Sequence, residues 1–237
     1  MKQSHNIALI LAGGTGRRMH ALVPKQFMEV DGESILLHTL RAFQQHPLIH
    51  GIYVVCMPEW EVFVRDEAAR GGIDKLSGIV GAGESCYASA RRGIEYLSEN
   101  VKDDEAIVLV HDVVRPLITQ DIISRNIAVC LTHGNAITAL PSHEAYLKTD
   151  DGRTSCGFMP RQSLVRAQTP HTFPLAALAQ MVRLASERGI RETQSIITLA
   201  GELGISPLHI AQGDLRNFKI TEQGDILIYR ALKALEE

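Results

Sequence analysis

From Leu11 to Met19 the chain reads Leu-Ala-Gly-Gly-Thr-Gly-Arg-Arg-Met, directly after the apolar run Ile7–Leu11. Glycines in that position let the backbone turn sharply and present amide N–H groups to an anion. A helix beginning there would add its own positive end. Arg17, Arg18 and Lys25 place cations in the same short segment, and such groups suit a polyphosphate whose charge grows in a transition state. The loop is not a dinucleotide fingerprint, because Met19 stands where GxGxxG needs its third glycine, and no Gly-Lys-Ser/Thr follows to make a Walker A motif. A plain turn with solvated arginines would share part of this pattern. Pro24 points the other way, because its fixed φ aims Lys25 instead of leaving it free.

A second candidate, Asp112, ends the apolar run Ala106–Val110, at the edge where open α/β sheets bind ligands. A carboxylate there can hold Mg²⁺ or accept from hydroxyl groups; its plainer alternative is to cap the following turn. Arg115 follows at the same lip.

These residues need a scaffold, and the hydrophobic pattern supplies one. Short β-branched runs at Ile7–Leu11, Ile52–Cys56, Leu76–Val80 and Ala106–Val110 alternate with helical patterns at Ser34–Phe43, Trp60–Arg70, Ser85–Leu97 and Thr119–Leu131. Strands apolar on both faces and separated by helices predict a mostly parallel sheet covered on both sides. Between Ala136 and Gln168 the alternation breaks: Ala136–Leu140 and Leu164–Gln168 flank the turn-forming Asp150-Asp151-Gly152, which predicts an antiparallel arm. Helices at Pro174–Gly189, Thr193–Leu203 and Thr221–Leu235, with a strand near Leu208–Ala211, complete the expected order. One domain over residues 1–237 with an arm at about 141–167 is the expectation.

Composition narrows the partners. With 24 Lys+Arg against 27 Asp+Glu, the net charge of -3 excludes a nucleic-acid binder held by bulk charge, and 5% aromatics leave few stacking platforms. No apolar run reaches the roughly 20 residues of a membrane span. The polar Met1–Asn6 does not read as a signal peptide, and the scattered Cys56, Cys86, Cys130 and Cys156 suit a reduced, cytoplasmic protein. His46 and His50 are separated by Pro47, so no metal site is expected from the histidines.

A Gly-Gly-x-Gly-x-Arg loop followed by Pro-Lys is the general pattern of nucleotidyltransferases, and five ordered segments sharpen it. Ala12–Met19, Pro24–Phe27, His111-Asp112-Val113-Val114-Arg115-Pro116, Gln168–Phe173 and Asn217-Phe218-Lys219-Ile220-Thr221 resemble the cytidylyltransferases that act on polyol phosphates, over nearly the whole chain. The resemblance implies a Rossmann-like domain with a protruding β-arm that builds a homodimer. It also implies a Mg²⁺-dependent transfer of CMP from CTP to a polyol phosphate, with release of pyrophosphate.

Residue by residue, the resemblance implies that Arg18 and Lys25 neutralise the triphosphate and that Lys219 lies by the α-phosphate and the incoming phosphate. By itself Lys219 would read as a solvated strand-end lysine. Leu11, Ala12, Gly13, Gly14 and Gly16 would bind the nucleotide, with Gly83, Glu84 and Ser89 around cytosine and ribose. Asp112 and Arg115 would meet the polyol substrate, Asp112 holding Mg²⁺, and Arg161 in the arm would grip its phosphate across the dimer interface.

Some positions depart from the family pattern. Cys86 replaces an arginine, Val113 stands in HDVVRP for HDAARP, Glu144-Ala145 replaces Asp-Thr, and Arg191-Glu192-Thr193 replaces Thr-Asp-Glu. The last two fall where the family touches the polyol, and a site made to bond a hydroxyl discriminates strongly when that partner changes. Together with Pro58-Glu59-Trp60 and Gly213–Asn217, they favour D-ribitol 5-phosphate or a close relative. Methylerythritol phosphate is the alternative, and a nucleotide-binding module without catalysis the remote one.

Overall fold

A computed structural model describes residues 5–14, 23–103 and 105–235. Its element order is β1 (Asn6–Leu11), β2 (Glu29–Val30), β3 (Glu33–Ser34), α1 (Ile35–Gln45), β4 (Gly51–Cys56), α2 (Glu61–Arg70), β5 (Leu76–Gly81), α3 (Cys86–Asn100) and β6 (Ile107–Asp112). There follow α4 (Gln120–His133), β7 (Ala136–Pro141), β8 (Tyr146–Lys148), β9 (Gly157–Met159), β10 (Val165–Pro174), α5 (Leu175–Glu187), α6 (Ile196–Glu202), β11 (Ile210–Gln212) and α7 (Gln223–Lys233).

The expected mostly parallel sheet is present. It has 7 strands in the order β11-β7-β10-β6-β1-β4-β5, and β10 alone runs against its neighbours β6 and β7. Alternation along the strands splits the core in two. Ala8, Ile10, Ile107 and Leu109 face α1, α2, α4 and α7, whereas Ile7, Leu9, Val108 and Val110 face α3, α5 and α6. With both faces covered, the central strands have no room for a polar period, which is why they read as unbroken apolar runs.

Local chemistry sets the helix starts. The side chains of Ser34, Ser85 and Thr119 accept from the backbone N–H groups of Leu37, Ala88 and Ile122 at 3.1, 3.0 and 3.3 Å, each occupying an otherwise orphaned donor. Gly134, at φ 82°, closes α4 in the left-handed region.

Two elements differ from expectation. The sequence pattern shows no hairpin before α1, yet β2 and β3 pair around Asp31 (φ 55°) and Gly32 (φ 84°), the Asp-Gly turn that a two-residue hairpin requires. The strand expected at Leu164–Gln168 continues to Pro174. Its second half enters the central sheet between β7 and β6, after a register shift between Ala167 and His171. His171 and Thr172 lie in this buried half, so the polar spelling of the segment hid a core strand.

From β7 the chain leaves the sheet. β8 and β9 form a separate antiparallel pair, Leu147 opposite Phe158, and every residue from 143 to 163 except Gly157 and Met159 is exposed. At the tip Asp151 accepts from the backbone N–H groups of Arg153 and Thr154, both at 2.8 Å, as the expected turn there requires.

Candidate active site

Strand order places the site. From β1 the chain builds outward through β4 to β5, then returns to β6 on the other side of β1. The loops leaving β1 and β6 therefore diverge, and a crevice opens at their carboxyl ends. A cavity of about 360 Å³ lies there, lined from β1 by Leu11, Gly13 and Gly14, from β6 by Asp112, and from the segment before α7 by Lys219.

The glycine loop is held from two sides. A Cβ on Gly13 would lie 2.6 Å from the Ala82 Cβ, and one on Gly83 2.5 Å from the Ala88 Cβ, so only glycine lets these backbones approach. Ser89 accepts from the Gly83 N–H at 3.1 Å and lines the cavity. From the other side the buried Gln26 donates through Nε2 to the carbonyls of Ala12 (2.8 Å) and Gly14 (2.5 Å). Phe27 stacks on Trp60 with ring centroids 4.4 Å apart, and Lys25 donates to the Ile220 carbonyl at 2.7 Å. Pro24-Lys25-Gln26-Phe27 thus fastens the loop to the core and turns its lysine toward the cleft.

Asp112 is the electrostatic centre. Its Oδ2 lies 2.9 Å from Lys219 Nζ and 3.5 Å from Arg115 Nε, the latter a charge contact without hydrogen-bond geometry. Burial alone would raise the Asp112 carboxyl, but Lys219 and Arg115 outweigh it and hold it at about 2. It is ionised throughout the physiological range. Below it, the buried imidazole of His111 is pushed down to about 3 by desolvation and stays neutral, its Nδ1 at 3.1 Å from Thr169 Oγ1.

The expected site residues separate into groups. Leu11, Gly13, Gly14, Lys25, Glu84, Ser89, Asp112 and Lys219 meet at the cavity. Ala12 and Gly83 sit just behind it in the loops they shape. Arg115 braces Asp112 from behind instead of facing the cavity, and donates through a terminal guanidinium nitrogen to the Asn217 carbonyl at 2.8 Å. Arg161 lies on the exposed excursion, donating to the His143 carbonyl at 3.3 Å, away from the cavity. Gly16, Arg17 and Arg18 lie outside the described residues. Two further residues support the site, Gln26 and Asn217: both are buried amides within the lysine-bearing motifs, and their only signal in the sequence is a polar residue beside a candidate lysine.

Residues 6–234 match the family model for IspD, 2-C-methyl-D-erythritol 4-phosphate cytidylyltransferase. The chain belongs to this family. It is a cytidylyltransferase, hence a nucleotidyltransferase. The enzyme is 34% identical to the ribitol-5-phosphate cytidylyltransferase of Streptococcus agalactiae serotype Ia over 96% of this chain and 95% of that protein. It is 38% identical to the 2-C-methyl-D-erythritol 4-phosphate cytidylyltransferase of Rubrobacter xylanophilus, over 98% and 96%. The crystal structure of 4-diphosphocytidyl-2C-methyl-D-erythritol synthase from Anaerococcus prevotii superimposes with a TM-score of 0.82 over 98% of this chain and 97% of that one; at 22% identity this likeness speaks for the fold. In this cytidylyltransferase Cys86 is exposed at the cavity wall and opens α3, a short uncharged side chain beside the Asp112–Lys219 pair.

Proposed function

We propose that the enzyme transfers CMP from CTP to a polyol phosphate, D-ribitol 5-phosphate or a close relative, giving a CDP-polyol and pyrophosphate. The observation that carries this reading is the Lys219–Asp112 pair facing the glycine loop across the cavity. An oxygen of the polyol phosphate forms a bond to the α-phosphorus, the bond from that phosphorus to the β-bridging oxygen breaks, and pyrophosphate leaves with its electron pair. A phosphate monoester is already an anion at pH 7, so positioning and charge neutralisation dominate over base catalysis. Lys25 and Arg18 would neutralise the triphosphate, the Gly13–Gly14 backbone would cradle it, and Lys219 would lie between the two reacting phosphates. Glu84, Ser89 and Gly83 would surround the nucleoside, with Arg115 holding Asp112 in place.

Among the described residues no cluster of three or more His, Cys, Asp or Glu forms a protein-only cation cage. The Asp112 carboxylate at the cavity still suits Mg²⁺, which takes one or two carboxylates and fills its remaining positions with phosphate oxygens and water. Asp112 would hold the ion, which when bound would offset triphosphate charge.

D-ribitol 5-phosphate is favoured by Glu144-Ala145 and Arg191-Glu192-Thr193 and by relatives such as the streptococcal enzyme. Methylerythritol phosphate is the second reading, favoured by the Rubrobacter relative. Pyrophosphate release with CTP and Mg²⁺ is expected to be at least ~10-fold faster with D-ribitol 5-phosphate, the low end of what a difference of one small substrate group gives. Equal or better turnover of methylerythritol phosphate would reverse the assignment, and CTP binding without turnover of any polyol phosphate would favour the non-catalytic module.

The excursion around β8 and β9 would be the dimerisation arm. Leu147 and Phe158 expose 68% and 71% of their surface, an apolar pair suited to a second copy. Arg161 would then enter the partner's site. Mixing Arg161→Ala with Lys219→Ala protein, each nearly inactive, is expected to restore about a quarter of wild-type activity, since half of randomly reassorted dimers carry one intact site. No recovery after confirmed subunit exchange would refute a shared site. No helix among the described residues is long and apolar enough to cross a membrane. A nucleotide substrate and free thiols fit a cytoplasmic enzyme acting without nucleic acid.

A further inference from the structure

We infer that Asn217 is a positioning residue that sets the reach of Lys219, an inference resting on the role proposed for Lys219 above. Asn217 is fully buried, two residues before that lysine. Its Nδ2 donates to the Thr169 carbonyl at 2.8 Å and approaches Gln168 Oε1 at 3.4 Å, which ties the segment to β10. Its carbonyl accepts from Arg115 at 2.8 Å.

On the other side of Lys219, the Ile220 N–H donates to the Val114 carbonyl at 2.9 Å and the Ile220 carbonyl accepts from Lys25 at 2.7 Å. Lys219 is therefore strung between two fixed points. Thr169 closes the circuit, because its Oγ1 accepts from the Asp112 N–H at 3.0 Å while Asp112 Oδ2 meets Lys219 Nζ at 2.9 Å. Both partners of the ion pair are referenced to one residue of β10, and the Asn217 amide is the link on the lysine side.

This arrangement separates position from fold. The buried amide could serve only to satisfy the chain turn, in which case its loss would weaken every function of the protein alike. A residue acting through Lys219 has no further effect once Lys219 is gone.

The test is a double-mutant cycle on pyrophosphate release from radiolabelled CTP, using Asn217→Ala, Lys219→Ala and the pair. Small misplacements of reacting groups cost up to ~100-fold. Asn217→Ala is therefore expected to lower kcat by at least ~10-fold while CTP dissociation changes by less than ~3-fold, and to change activity by less than ~2-fold in the Lys219→Ala background. An equal loss in both backgrounds, or an unchanged kcat, overturns the inference. Asn217→Ser, which leaves a smaller cavity, replaces the alanine variant if that does not fold; failure of both to fold shows a structural role and overturns it too. Undiminished turnover in Lys219→Ala alone would instead remove the proposed role of the lysine.

Discussion

Lys219→Ala is expected to lower kcat by about 100- to 1,000-fold with little change in thermal stability, the usual cost of deleting one donor aimed at developing charge. Lys219 is well placed for this because it lines the cavity opposite the glycine loop and its Nζ is held at 2.9 Å from Asp112. The carboxylate fixes where the ammonium sits before substrate arrives, so little reorganisation is left for the reaction itself. At 38% side-chain exposure the lysine is partly solvated, and the buried Asp112 keeps Arg115 at 3.5 Å when the ammonium is gone, so a loss of only about 1 kcal/mol is expected. Rate and stability should therefore separate. Lys219→Arg should recover little, because a planar fork on a longer stem cannot reproduce a point charge at that spot. Steady-state pyrophosphate release beside a thermal melt checks both, and undiminished turnover in Lys219→Ala would refute the assignment.

Asp112→Asn should behave differently, with losses in both measurements. The carboxamide keeps the shape but removes the charge that two cations share, leaving Arg115 with 11% side-chain exposure and no anionic partner. Orphaning a buried ion costs several kcal/mol. Here Arg115 keeps its bond to the Asn217 carbonyl, so about 2 kcal/mol is expected, a fall in Tm of roughly 4–8 °C. Turnover should drop by about 100-fold or more, because Lys219 loses the contact that aims it and Mg²⁺ loses the carboxylate proposed to hold it. A variant that melts like wild type and retains its activity would show that the Asp112 charge organises nothing. The contrast is diagnostic: loss of rate alone assigns a residue to the reaction, whereas loss of rate and stability together assigns it to the fold as well.

Much of the scaffold was legible because its causes are local. Ile7–Leu11 and Ala106–Val110 are apolar at every position because both sheet faces are covered. Ser34 and Thr119 cap helices through contacts three residues away, and Asp151 organises the arm's turn within its own loop. The hairpin at Asp31-Gly32 is equally local and its turn signal was present, but two-residue strands leave no alternation to read. Gln168–Phe173 was harder, since its polar residues are satisfied by buried partners: Thr172 by Asn126, Thr169 by His111. A strand whose polar groups are all satisfied looks, in sequence, like a loop.

The amino-acid sequence by itself determined residues that could hold phosphate: the glycine loop and Asp112 at the ends of apolar runs, Lys25 behind its proline, and Lys219 through the family resemblance. It also determined a net charge of -3 that says nothing of where the cations gather. Only the tertiary structure decided that Lys219 meets Asp112, that Arg115 turns inward to brace it, and that Gln26 and Asn217 hold the pieces from behind. The physical reason is distance along the chain. Spacing rules describe neighbours within a helix or strand, whereas these contacts join separate elements, such as Asp112 at the end of β6 and Lys219 before α7, that meet only once the sheet is assembled.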